Sequence, residues 1–241
     1  MCGIFFSIRN GDPEITTEPT RKLLNGRGPD CASAYSRSAI CDGVEYSISA
    51  YCSVLGLRGA FTPQPLADDK SILCWNGEAF NIRNNVVTGS DTRAIHDLLS
   101  QPWNANGKKV TDSKAMSSTI LEALSRIRGP FAMVYLDLES GKLWFGRDCL
   151  GRRSLLLHRD MSQGISLASV VADDSHPERW IEVEANGMYV ADLTKWNGAD
   201  AEDAKLRLEH VPYVHWNTQL PNSRFVVSEQ AMSAHQIHSS S

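Results

Sequence analysis

Cys2 directly follows the initiator methionine, and a side chain that small permits co-translational removal of Met1. Removal would leave a thiol and a free α-amine on one residue. An α-amine titrates near about 7.7–8.0 and is therefore partly a base at neutral pH. A thiol titrates near about 8.5 and attacks as its thiolate. An N-terminal cysteine thus carries nucleophile and base together. Gly3 leaves room beside the sulfur, and Ile4-Phe5-Phe6 reads as the start of a buried strand that anchors the terminus. A second chemical signal is Asn76-Gly77-Glu78. Its bland account is a two-residue hairpin turn. Trp75 on one side and Phe80 on the other favour burial instead. A buried amide beside a glycine N–H offers two donors converging on one point, as the oxygen of a tetrahedral intermediate requires, each donor contributing roughly 3–4 kcal/mol. Asp91 reads either as a helix cap or as a pocket carboxylate able to pair with an ammonium.

The elements that must position these residues are strands first. Ile4 to Ile8 reads as a strand ended by the turn Asn10-Gly11-Asp12-Pro13. Thr17 caps a short helix with Pro19 in its first turn. Arg27-Gly28-Pro29-Asp30 follows, either a surface turn or a loop holding the first strand. The alternating segment Val44 to Ser49 and the apolar run Tyr51 to Leu57 predict a hairpin. Ile72 to Trp75 is a buried strand, and Ser90 or Asp91 opens a helix over Ile95, Leu98 and Leu99. A second helix is expected from Asp112 through Met116, Ile120, Leu121, Leu124 and Ile127, closed by Gly129-Pro130. Phe131 to Leu138, Lys142 to Phe145, Leu155 to Leu157, Ile165 to Val170 and Gly187 to Leu193 read as further strands. Strands, then two helices, then strands predict an α+β protein with segregated antiparallel sheets.

The chain of 241 residues, 42% hydrophobic and 22% charged, can bury a sizeable core. A net charge of −4 without a basic stretch excludes a nucleic-acid or anionic-membrane surface as partner. Six cysteines without a CxxC pair, and no signal-like or bilayer-length apolar run, predict free thiols in a reducing, cytoplasmic setting. The histidines, His210, His215, His235 and His238 among them, show no metal-ligand spacing with cysteine, so no metal and no cofactor is expected. Past Thr194 the apolar pattern thins, and the end around Ala234 to Ser241 reads as disordered.

Taken in order, Cys2-Gly3-Ile4, Arg27-Gly28-Pro29-Asp30, Gln64-Pro65-Leu66, Asn76-Gly77-Glu78, Ser90-Asp91, Phe131-Ala132 and Gly146-Arg147-Asp148 resemble a known set. The set is similar to the glutaminase domain of asparagine synthetases, a class II glutamine amidotransferase of the N-terminal-nucleophile (Ntn) hydrolase group. Leu57-Arg58-Gly59 and Gly151-Arg152-Arg153-Ser154-Leu155-Leu156 bring it nearer to a subgroup of asparagine synthetase domain-containing proteins. The resemblance covers residues 2–193, leaving 194–241 as a C-terminal extension.

The resemblance implies a four-layer αββα sandwich of two antiparallel sheets and hydrolysis of the L-glutamine side-chain amide to glutamate and ammonia. It makes Cys2 the nucleophile and its α-amine the base, Asn76 and the Gly77 N–H the oxyanion donors, and Gly77 and Glu78 pocket lining. Asp91 would pair with the substrate ammonium. The family's clamp for the substrate α-carboxylate is an arginine. An ungapped register on Gln64-Pro65-Leu66 puts Ser53 there, and a shortened loop puts Arg58 there, which we take as the clamp. Gly151-Arg152-Arg153-Ser154-Leu155 and Ala168-Ser169-Val170 are expected to face a second domain or a channel. No Ser-Gly-Gly-x-Asp-Ser pyrophosphate loop occurs in this chain, so ammonia would pass to an ammonia-accepting synthetase domain or protein elsewhere. Two other readings remain open at this level. One is a catalytically weak or inactive pseudo-amidotransferase acting as a binding or regulatory module. The other is an N-terminal-cysteine hydrolase of a different linear amide.

Overall fold

The first strand, β1 (Gly3–Asn10), sits in the interior of a sheet, and the rest of the fold is arranged to keep it there. The computed structural model describes residues 1–41, 43–82, 84–100, 120–160, 163–172, 177–196 and 206–213. Along β1 the side chains alternate. Ile4, Phe6 and Ile8 face a second sheet, while Phe5 faces the helix α1 (Glu18–Arg27) through Leu24. Thr17 caps α1, its hydroxyl oxygen accepting from the Thr20 N–H at 3.4 Å, and Pro19 lies in the first turn, as the sequence predicts.

On either side of β1 run β2 (Cys31–Cys41), β3 (Val44–Val54), β11 (Leu156–Asp160), β12 (Gly164–Ala168) and β13 (Trp180–Glu182), in the order β13-β11-β12-β1-β3-β2. The second sheet has the order β15-β14-β10-β9-β5-β4. Its strands are β4 (Leu66–Ala67), β5 (Ser71–Gly77), β9 (Phe131–Asp137), β10 (Lys142–Arg147), β14 (Gly187–Asp192) and β15 (Leu208–Pro212). A small third sheet joins β6 (Asn81–Ile82), β7 (Asn85–Val86) and β8 (Ile127–Arg128). All strand pairings in these sheets are antiparallel.

The main core lies between the two large sheets, where Ile4, Phe6, Ile48 and Cys52 meet Ile72, Cys74, Val134 and Phe145. The outer face of the second sheet, with Leu73, Trp75, Met133 and Trp144, is covered by α2 (Asp91–Ser100) and a helix over residues 120–125. With α1 on the far side, the layers are helix, sheet, sheet, helix. The expected α+β, four-layer arrangement is what the chain builds.

Local readings differ in four places. The hairpin expected between 44–49 and 51–57 is one continuous strand, β3, because no turn residue interrupts the alternation at Ala50. Its hairpin partner is β2, a row of small and polar residues that pairs with β3 from Cys31↔Val54 to Cys41↔Val44. The second expected helix ends at residue 125, and Ile127 belongs to β8 rather than to that helix. Its proposed start at Asp112 and Met116 lies outside the described residues, as do the loop 102–111 and the tail 214–241. Finally, the chain returns to the second sheet after residue 193. Trp196 and Leu206 are buried, and β15 pairs with β14.

Candidate active site

Cys2 immediately precedes β1 and shares the face of Ile4 and Phe6, so it stands over the end of the inter-sheet core. The strand is pinned at this end by side chains. The Gly3 N–H donates to Ser53 Oγ at 3.1 Å, Ser53 Oγ donates to the Leu24 carbonyl at 2.5 Å, and the Ile4 N–H donates to Ser169 Oγ at 3.1 Å. Gly3 is required here, since a Cβ would stand 2.5 Å from Ser53 Oγ. The Cys2 thiol donates a long contact to the Leu55 carbonyl at 4.0 Å, and Arg27 Nε donates to the Cys2 carbonyl at 3.4 Å. Burial pushes the Cys2 thiol up, an effect partly offset by the Leu55 contact, the neighbouring terminal ammonium and Arg153.

Across the core, β5 delivers the second part of the site. Ile72, Cys74 and then Asn76 share the face turned toward the first sheet. Asn76 is 1% exposed, and neither its Nδ2 nor its Oδ1 has a hydrogen-bond partner. An amide buried with both ends unsatisfied is costly, of the order of 1–3 kcal/mol per group, and is rare enough to demand a reason. The backbone supplies the companion donor. The Trp75 N–H points away from β9 to Gln64 Oε1 at 2.7 Å, so the Gly77 N–H, two residues on, is turned to the same side. Phe131 Cβ, the Pro130 carbonyl and the Trp75 ring lie 2.7–2.8 Å from where a Gly77 Cβ would be, which leaves no room for a side chain.

Asp91 opens α2 and points back under β5. Its Oδ2 accepts from the Ala79 N–H at 2.9 Å and Trp75 Nε1 at 3.2 Å, and its Oδ1 accepts from the Thr92 N–H at 2.8 Å. Ser90 is the capping residue, its Oγ accepting from the Arg93 N–H at 3.4 Å. Arg58, on the loop after β3, reaches Asp91 Oδ2 and Glu78 Oε2 at 4.0 Å each. It donates to the Ala79 carbonyl at 3.0 Å and lies over the Phe80 ring at 5.4 Å. Phe80 is nonetheless half-exposed, not an enclosing wall beside Asn76-Gly77-Glu78.

One cleft is lined by Cys2, Arg58, Asn76, Gly77, Glu78 and Asp91 together, the six residues given a catalytic or substrate-binding role from sequence. Ser53, the rival position for a carboxylate clamp, is fully buried and committed to Gly3 and Leu24. The cleft also contains residues that sequence reasoning did not assign. Gln64 ties β5 to α2 through Thr92 Oγ1 at 3.3 Å, and Thr62 donates to Ser90 Oγ at 2.6 Å. Arg153 enters the cleft and pairs with Glu78 at 3.5 Å, in a stretch expected to face a second domain or a channel. The signal for it was the Gly151-Arg152-Arg153 motif; its direction was not legible.

Comparison with known proteins accords with this arrangement. Residues 1–191 match the family model for a glutamine amidotransferase domain. The chain is 33% identical over 195 residues to asparagine synthetase domain-containing protein 1 of Bos taurus and 32% identical over 199 residues to that of Homo sapiens. Against the Gallus gallus protein the identity is 35% over 200 residues. These alignments cover 80% of this chain but 28–29% of the relatives, so the chain spans less than a third of the proteins it matches. Among solved structures, its fold resembles glutamine phosphoribosylpyrophosphate amidotransferase from B. subtilis. The TM-score is 0.53 at 17% identity, over 87% of this chain and 49% of that one. By the match over residues 1–191, the chain belongs to the glutamine amidotransferase domain family.

Proposed function

We propose that this chain, once Met1 is removed, hydrolyses the side-chain amide of L-glutamine to glutamate and ammonia. The observation that carries the reading is the Asn76 amide, buried, unpartnered and turned to the same cleft as Cys2. The Cys2 thiol gives its proton to its own α-amine, and the sulfur attacks the amide carbon. The new oxyanion is held by Asn76 Nδ2 and the Gly77 N–H. Collapse breaks the C–N bond, ammonia leaves with a proton from the α-ammonium, and a Cys2 thioester remains. Water then attacks the thioester, the amine again taking the proton; the C–S bond breaks, the ammonium returns that proton to the Cys2 sulfur, and glutamate departs.

Asp91 would pair with the substrate ammonium, and Glu78 and Gly77 would border the amide. Arg58, 34% exposed at the mouth of the cleft, would meet the α-carboxylate with its planar fork. No step requires a cofactor. Ammonia would pass to an acceptor domain or protein, with amino-acid (asparagine) biosynthesis the expected destination. None of the six cysteines, all among the described residues, is in a disulfide, which fits a reducing, cytoplasmic setting. Among the described residues, no helix is long and apolar enough to cross a membrane.

The test combines intact mass and labelling. The purified protein should lack Met1, release glutamate from glutamine, and be alkylated at Cys2 by a glutamine-mimicking diazo-ketone. Labelling that persists in Cys2→Ala would defeat the proposal. A folded, processed protein that binds glutamine without releasing glutamate would instead be a pseudo-amidotransferase with a binding role.

A further inference from the structure

Two guanidinium groups converge on the polypeptide terminus, and the reaction described above does not use them as ligands. Arg27, at the end of α1, donates from Nε to the Cys2 carbonyl at 3.4 Å, and its Nη2 reaches Met1 Sδ at 3.9 Å. Arg153 comes from the opposite side, its Nη1 3.4 Å from the same sulfur. Arg153 is only 17% exposed, and its Nε is buried without a hydrogen-bond partner. Burial and the neighbouring Arg153 charge together pull the Arg27 guanidinium below its ordinary value, so the two cations feel each other. Such crowding of like charges is unfavourable and persists only where the surrounding structure imposes it.

The fold does impose it. Asp148, buried, accepts from the Phe131 N–H at 3.0 Å, the Arg152 N–H at 3.2 Å and Arg152 Nε at 2.9 Å. Arg147 Nε donates to the Arg153 carbonyl at 2.7 Å, and Ser154 Oγ to the Ser169 carbonyl at 2.8 Å. The turn carrying Arg153 is thus fastened to β9 and β12, and its side chain is delivered to the terminus.

We propose that Arg27 and Arg153 are positioning residues that hold the α-amine of mature Cys2 in its neutral, proton-accepting form. With Met1 gone, Arg27 stays on the Cys2 carbonyl and Arg153 within electrostatic reach of the Cys2 thiol, so a third positive charge on the new α-nitrogen is disfavoured and a negative charge on the adjacent sulfur is favoured. The other groups around Cys2 leave this balance positive. Asp91 from α2 and Glu78 after β5 are the carboxylates, Arg58 from the loop after β3 is a third guanidinium, and the Leu55 carbonyl and the Cys52 thiol are uncharged. Three guanidiniums thus stand against two carboxylates. Glu78 is paired to Arg58 and to Arg153, and Asp91 is already held by Trp75, Ala79 and Thr92. The amine is therefore free to take the thiol proton at neutral pH, the first step of the reaction proposed above, on which this inference rests.

The experiment titrates Cys2 in processed protein carrying ¹³C-labelled cysteine, followed by NMR, alongside the pH profile of kcat/KM for glutamine hydrolysis. In Arg153→Gln the amine titration and the acid limb of the profile should both move up by about half to one pH unit. Arg153→Lys, which keeps the charge, should restore most of the shift, whereas a merely structural role would not follow charge. Glu78→Gln removes a counter-charge and should move the amine titration down; it also serves if Arg153→Gln fails to fold. An amine titration unchanged in a folded Arg153→Gln protein, or raised in Glu78→Gln, overturns the proposal. Because the NMR titration needs no turnover, a protein that hydrolyses nothing yet shows these shifts refutes the glutaminase reading and leaves this inference standing.

Discussion

The Asp30 carboxylate accepts the Gly56 N–H at 2.7 Å, and this one bond ties the turn after α1 to the loop that carries Leu55 and Arg58. The same turn is anchored through the Asp30 N–H to the Val54 carbonyl at 3.1 Å. Leu55 offers its carbonyl to the Cys2 thiol, and Arg58 stands at the carboxylates of Glu78 and Asp91. Asp30 thus acts on the cleft at one remove. Losing it should loosen the loop without emptying the core, because the bond is solvent-exposed and such bonds contribute only about 0.5–1.5 kcal/mol. Asp30→Ala is expected to raise KM for glutamine several-fold, with a smaller change in kcat and a Tm within a few degrees of the parent. Steady-state kinetics with a thermal melt check this. An unchanged KM would mean that the loop is held by other contacts.

Asn76 makes a sharper demand. An unsatisfied buried amide stabilises nothing in the resting protein, so its removal should relieve the fold while harming the reaction. Asn76→Ala should lower kcat by about 10²–10³-fold, the loss expected for one oxyanion donor. The urea midpoint should stay the same or rise. A variant that loses both activity and stability would show that the amide is structural, and the oxyanion role would fail.

Much of this site was legible because its chemistry sits at strand ends whose periodicity is strong. Ile4, Phe6 and Ile8 fix the face of Cys2, and Ile72 and Cys74 fix that of Asn76, so two apolar alternations are enough to point both groups into one space. The strand β2 was invisible for the opposite reason. Cys31 to Cys41 is mostly alanine, serine and cysteine, an edge strand whose outer face is solvent and whose inner residues are only half-buried. The spacing of Ile127 from Leu124 suits a helix, and tertiary pairing with Ile82 places it in a strand instead. Arg153 shows the remaining gap. A turn of Gly151-Arg152-Arg153 names the charges but not their direction, which is set by Asp148 and Ser169, the residues just after β10 and β12.

Gly28 marks a contact that only a residue lacking Cβ can make. A methyl group there would stand 2.5 Å from the Ser53 carbonyl carbon and oxygen and from the Val54 nitrogen, all backbone atoms of β3. Backbone cannot step aside as a side chain can, so α1 and the first sheet would have to separate. Gly28→Ala should lower Tm by roughly 2–12 °C, from an overpacking cost of about 1–3 kcal/mol. Because Ser53 also orients Gly3, diazo-ketone labelling of Cys2 should slow in the same variant. Melting by circular dichroism and a labelling time course test both. A variant with parental Tm would show that the helix can shift freely.

Burial of phenols and thiols predicts how the fold fails in alkali. Burial, with a smaller contribution from Glu184, pushes the Tyr189 phenol up to about 12, and burial also raises Tyr135 and Tyr213. The Cys52 thiol is raised by its hydrogen bond to Cys74 and by burial between the sheets. In the unfolded chain these groups titrate near about 10 for tyrosine and about 8.5 for cysteine. Since the folded values are the higher ones, the unfolded state loses its protons first as pH rises, and stability falls with it. The contribution is complete below about pH 8 and is lost progressively as pH climbs through the thiol and then the phenol range toward 12. The urea midpoint should therefore decline steadily above about pH 8.5, with tyrosinate absorbance at about 295 nm appearing together with unfolding. If the tyrosines instead ionise near pH 10 while the near-ultraviolet dichroism stays native, the phenols are not shielded by Met188, Asn186 and the strands around them, and the packing assigned to the second sheet is wrong.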